Sequence, residues 1–142
     1  MDLDLKKHIL SWRKILIDTF GSPVEYTPNE IPVNYNSHGN LFSWEQSVQR
    51  IGEWFSHRNF MIGLDHVSSP TIFCILYKLN GLLHQQSIIS VRDTGKFQSG
   101  VNYRELKNFF HALKNRKKLP LCINYEWANE LLKAALQDDD TW

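Results

Sequence analysis

Residues 71–91 spell out a β-hairpin, and no other segment constrains the fold as much. Thr71 to Leu79 form an apolar, β-branched and aromatic run, Asn80-Gly81 follows, and a second run returns from Leu82 to Val91. Asn-Gly accommodates positive φ at both positions of a two-residue type I′ loop, whose twist matches that of the flanking strands. A loop of that length fixes the register. Leu79 then faces Leu82, Tyr77 faces His84, Ile75 faces Gln86 and Phe73 faces Ile88, while Ile72 meets Ile89, Cys74 meets Ser87 and Leu76 meets Gln85 on the opposite side. The first strand is apolar on both faces, which predicts a central strand covered twice. The return strand is more polar and suits an edge.

The segments around the hairpin supply the rest of the fold. Leu5, Ile9, Trp12 and Leu16 recur at spacings that predict an amphipathic helix over 3–20, stopped by Gly21-Ser22-Pro23. Residues 22–41 show no period and read as a long arm across the surface, anchored by Ile31-Pro32-Val33. Ser43 and Gln46 form a capping box, and Trp44, Val48, Ile51 and Phe55 predict a second helix running on to Arg58. Phe60 to Val67 read as a strand, with Ser68-Ser69-Pro70 turning into the hairpin. A loop marked by Asp93-Thr94-Gly95 and Ser99-Gly100 leads to an Asn102/Glu105 cap and a helix to Asn115. Leu119–Ile123 is a candidate short strand, and Asn124 caps a last helix with Trp127, Leu131, Leu132 and Ala135 facing inward. The expectation is a single α+β domain over 1–137 with a short acidic tail at 138–142. Its antiparallel sheet has three to four strands, a meander packed by N- and C-terminal helices.

Composition bounds the function. With 142 residues, 42% of them apolar, the chain can bury one core without metal or disulfide staples. A formal net charge of +1 excludes a grossly basic nucleic-acid binder and leaves room for a local basic patch. No apolar run is long enough for a bilayer, and the start of the chain lacks a secretory h-region, so the expected location is cytoplasmic with no membrane partner. Cys74 and Cys122 sit in apolar runs and read as buried thiols, with a disulfide between them as the alternative.

Three constellations offer chemistry. Tyr77, His84 and Gln86 share a face of the hairpin and form a candidate binding surface, the plainer alternative being a solvated edge strand. Arg104, Lys107, His111 and Lys114 fall at spacings of three and four, a basic stripe that Lys118 would extend and that could meet phosphates or an acidic protein surface. The plainer alternative is a solvated helix face with cations near its C-terminus. Among the five tryptophans, Trp54 lies beside the apolar stripe of its helix and, if exposed, would anchor an interface. Asp65 and His66 are adjacent on a strand and so point to opposite faces, which argues against a catalytic dyad. His57, His66 and His84 match no metal-ligand spacing, and no nucleophile elbow, HExxH, phosphate-binding loop or CxxC pair is present. No cofactor and no metal are expected.

The order of features over 31–97 resembles small immunity proteins of bacterial contact-dependent growth inhibition and related polymorphic toxin systems. A Trp-bearing helix (Ser43-Trp44 to Arg58) leads to an apolar strand. A strand ending Ile75-Leu76-Tyr77, a tight turn and a strand carrying Gln85-Gln86-Ser87-Ile88-Ile89 follow. The resemblance implies a cytosolic, non-catalytic protein that binds one cognate toxin domain and covers its active site. It transfers no binding residue. The function expected is therefore a protein-binding module. One alternative is a nucleic-acid-binding or regulatory protein using the stripe over 104–118. The other is a small enzyme with an unrecognised site near His66 or His84.

Overall fold

A computed structural model describes residues 3–35, 43–66, 71–90, 103–115 and 126–137. The chain runs α1 (Leu3–Phe20), α2 (Trp44–Gln49), β1 (Ile51–His57), β2 (Phe60–Asp65), β3 (Thr71–Leu79), β4 (Leu82–Ser90), α3 (Tyr103–Asn115) and α4 (Glu126–Leu136). The four strands form one antiparallel sheet in the order β1-β2-β3-β4, giving an α+β fold with helices at both chain ends. The hairpin has the register expected from its loop, from Leu79↔Leu82 and Tyr77↔His84 through to Ile72↔Ile89. Asn80 and Gly81 take φ of +54° and +79° at the turn. β3 is central and β4 lies at the edge.

One expected element is different. The helix foreseen from Ser43 to Arg58 ends at Gln49, and residues Ile51–His57 are β1. The capping box is in place, with Gln46 N–H donating to Ser43 Oγ at 3.2 Å and Ser43 N–H to Gln46 Oε1 at 2.8 Å. Beyond it, Trp54 and Phe55 are adjacent yet both buried, because both sheet faces are covered. A strand buried on both sides loses its alternation, and its apolar residues can then fall by chance at helical spacings.

The two faces carry separate cores. On one, Phe55, Phe60, Ile62, Leu64, Phe73, Ile75 and Ile88 meet Trp12 and Leu16 of α1, Phe109 and Phe110 of α3, and Leu131 of α4. Trp12 sits edge-on to Phe73, ring centroids 5.1 Å apart, and to Phe110 at 6.2 Å. Burying each such side chain contributes about 2–3 kcal/mol. On the other face Trp44, Trp54, Met61, Cys74, Leu76 and Leu83 pack together, with Tyr26 and Tyr35 of the arm over them. Gly63 is what lets the Trp54 indole lie on β2, since a Cβ there would come within 2.7 Å of Trp54 Cζ3 and 2.8 Å of Ile51 Cγ2.

The arm holds both sheet edges. Val24 N–H donates to Trp54 C=O at 2.9 Å beside β1, and Val33 N–H donates to Leu83 C=O at 2.8 Å beside β4. Of the expected anchor Ile31-Pro32-Val33, Pro32 is buried while the Ile31 and Val33 side chains are exposed, so the attachment runs through Pro32 and the backbone. Two turns are clamped from a distance. Asn59, fully buried between β1 and β2, donates from Nδ2 to Lys78 C=O at 2.9 Å and to Ala134 C=O at 2.8 Å. Gln137 exchanges hydrogen bonds with Asn80, accepting from its N–H at 3.1 Å and donating to its Oδ1 at 2.8 Å.

Cys74 is a free, buried thiol, pushed from 9.0 up to about 12 by burial, against which its hydrogen bond with Gln85 acts. Cys122, the loop over 93–100, the Asn102 and Asn124 caps, the candidate strand Leu119–Ile123, the side chain of Trp127 and the tail 138–142 lie outside the described residues.

Candidate interaction surface

α3 is amphipathic, and its exposed side is basic. Leu106, Phe109, Phe110 and Leu113 enter the main core, which turns Arg104, Lys107, His111 and Lys114 outward. All four are exposed, as the spacing predicted, and none forms an ion pair among the described residues. Lys118 lies outside the described residues. α1 packs beside α3 and brings Ser11, Lys14 and Asp18 to the same side. The two helices enclose a concavity of about 270 Å³, lined by these three residues with Ile15, Thr19, Lys107 and His111.

Elsewhere several charged groups are paired. At the bulge where β1 begins, Arg13 Nε donates to Glu53 Oε1 at 2.7 Å and to Oε2 at 3.0 Å. His66 Nε2 lies 3.3 Å from the same Oε1. The His66 ring occupies the space over Gly52, where a Cβ would come within 2.6 Å of it. Asp65 points the other way and sits 3.5 Å from Arg50 Nε. Asp65 and His66 thus have different partners, and His66, expected on the strand, lies one residue beyond the end of β2. This cluster was not foreseen, because nothing in the spacing of Arg13, Glu53 and His66 indicates that α1 crosses the start of β1.

The hairpin surface needs correction. Tyr77 is 3% exposed, stacked on Phe60 at 6.3 Å and on His84 at 5.4 Å, so it belongs to the core. Helix α4 covers that part of β3. Burial, and then the charge of Glu130, raises the Tyr77 phenol above its ordinary 10.0. His84 and Gln86 are half-buried beside it, and Gln86 Nε2 donates to Ser87 C=O at 3.1 Å. Trp54, expected as a possible exposed anchor, is 6% exposed and edge-on to Tyr26 at 5.1 Å. Its place on a strand rather than a helix turns it onto the second core.

His57 packs against Phe20, ring centroids 5.5 Å apart, so His57, His66 and His84 have three different surroundings. Among the described residues no group of three or more His, Cys, Asp or Glu is placed to hold a metal. No described helix is long and apolar enough to cross a membrane. A second, more open concavity of about 550 Å³ lies between the arm (Val24 to Pro28) and β1. Comparison with family models, curated proteins and solved structures finds no significant match. The functional reading therefore rests on the residues of this chain.

Proposed function

We propose that this chain is a non-catalytic, cytoplasmic protein-binding module, and in its sharpest form an immunity protein that occupies a cognate toxin domain. One observation carries the reading. Arg104, Lys107, His111 and Lys114 stand exposed on α3 and form no ion pair among the described residues, whereas Arg13, Arg50 and Lys133 are each within 4 Å of a carboxylate. An unneutralised stripe on a rigid helix packed against the core is suited to an acidic partner surface, where complementary charge speeds encounter and selects the partner. The immunity form adds the order of features over 31–97. The three histidines do not converge on one site: His66 lies near Glu53, His84 on Tyr77 and His57 on Phe20. A nucleic acid would draw on the same stripe, but the net charge of +1 and Asp18 beside Lys107 weigh against a polyanion.

The test is a pull-down of tagged chain from its native lysate, read by mass spectrometry and an absorbance scan. The expected result is one dominant polypeptide at equal stoichiometry, retained after nuclease and lost from an Arg104→Glu/Lys114→Glu variant. Co-purifying nucleic acid that is lost at high salt would replace the proposal with the nucleic-acid reading.

A further inference from the structure

The concavity between α1 and α3 combines unpaired charge with an unpartnered buried hydroxyl. Thr19 lines it, is 4% exposed, and its Oγ1 has no hydrogen-bond partner among the described residues. Buried polar atoms without a partner are rare in folded proteins, and such an atom in a cleft marks a position where a ligand can complete the bonding. Lys14 and Lys107 stand on the two walls, one from each helix, and neither is in an ion pair among the described residues. His111 follows Lys107 by one helical turn, and its ring adds a further N–H donor. Every one of these groups donates to an oxyanion, and the two lysines add charge to the bond.

We propose that this groove binds a single carboxylate, an Asp or Glu side chain on an acidic segment of the protein partner inferred above, so the proposal rests on that reading. Asp18 decides the charge of the ligand. It lies four residues after Lys14 on the same wall and offsets one of the two lysines. The remaining field suits a monoanion, and a phosphoryl group with up to two charges would meet Asp18 as a repulsive neighbour. At about 270 Å³ the groove is just below the usual range for small-molecule pockets, a size that fits one inserted side chain. Asp18 is left to accept from a backbone N–H or a cation next to that carboxylate.

The test titrates the full ¹⁵N-labelled chain with end-capped hexaglutamate, with hexalysine and hexathymidylate as separate arms. The expected result is a set of amide shifts centred on Lys14, Thr19 and Lys107 that appears with hexaglutamate. The Lys14→Glu/Lys107→Glu variant should bind at least about tenfold more weakly, and Lys133→Glu, outside the groove, about as well as the parent. Thr19→Val keeps the shape and removes the hydroxyl, so it should weaken binding about threefold or more without lowering the melting temperature. Shifts spread evenly over the surface, equal weakening by Lys133→Glu, or tighter binding of hexathymidylate in the groove would each overturn the assignment. The two proposals fail separately. A captured partner that binds Lys14→Glu/Lys107→Glu unchanged removes the groove and leaves the protein-binding reading. Hexaglutamate held in the groove with no polypeptide captured does the reverse.

Discussion

Asn34 closes part of the outer edge of β4 by treating Gln85 as a strand partner. Its Oδ1 accepts from the Gln85 N–H and its Nδ2 donates to the Gln85 C=O, both at 2.8 Å. A side-chain amide thus reproduces the two bonds of a neighbouring strand at one residue. Val33 adds one bond of the same kind, its backbone N–H donating to Leu83 C=O. Edges left open invite pairing with other chains, so this contact bears on self-association as well as stability. Asn34→Ala should speed hydrogen exchange at the Gln85 amide, with a stability loss of about 1 kcal/mol. Exchange followed by NMR, beside light scattering for oligomers, checks it. An unchanged Gln85 amide would show that other groups hold this edge.

Gly63 should tolerate no side chain. The nearest atoms to an added Cβ are the indole of Trp54 and the methyl of Ile51, both within 3 Å and both on the second core. Gly63→Ala should cost about 1–3 kcal/mol, as overpacking does, and Gly63→Val more. Trp54 fluorescence should shift to the red as the ring is displaced, which a urea titration monitored at Trp54 in an otherwise Trp→Phe background would reveal.

Asn59 joins three elements with one amide. Its backbone C=O also accepts from Lys78 N–H at 3.0 Å, so its side chain and main chain together tie the β1–β2 turn to β3 and α4. Asn59→Ala leaves Ala134 C=O without this donor in a buried place and should lower stability by about 2–3 kcal/mol. Asn59→Asp should cost at least as much at neutral pH, since it replaces the donor with a buried negative charge facing two carbonyls. Chemical denaturation of the two variants gives the comparison.

Cys74 sets an alkaline limit on stability. Burial holds its thiol at about 12 in the fold against 9.0 ordinarily, so above pH 9 the unfolded chain releases the proton first. The unfolded state then binds fewer protons, and stability falls as pH rises. This contribution is fully present below pH 9 and declines by about 1.4 kcal/mol per pH unit towards pH 12. Tyr77, also raised, adds to the decline above pH 10. Cys74→Ala should flatten the curve between pH 9 and 10. In a Cys122→Ser background, the native chain should leave Cys74 unreacted with a thiol reagent until it unfolds.

The hairpin was fully determined by local sequence, because Asn80-Gly81 selects a two-residue loop and that loop leaves one register for Tyr77, His84 and their neighbours. The same holds for α1, for the capping box at Ser43, and for the face of α3 on which Arg104, Lys107, His111 and Lys114 stand, all of which follow from spacings within a turn or two. β1 was different. Ile51 and Phe55 continue the helical spacing of Trp44 and Val48 in α2 and fit a buried strand equally well, and Gly52, unfavourable inside a helix by about 1 kcal/mol, was a local signal against the helix. Pairing with β2 decided the matter, a contact between strands that helical spacing does not encode. That decision turned Trp54 inward over Gly63, just as α4 took Tyr77 into the core. The groove was likewise a product of tertiary packing. Lys14 and Thr19 meet Lys107 only because α1 and α3 bury their apolar faces on the same sheet face, and a chain's local pattern names the face a helix will bury without naming the neighbour its other side will meet.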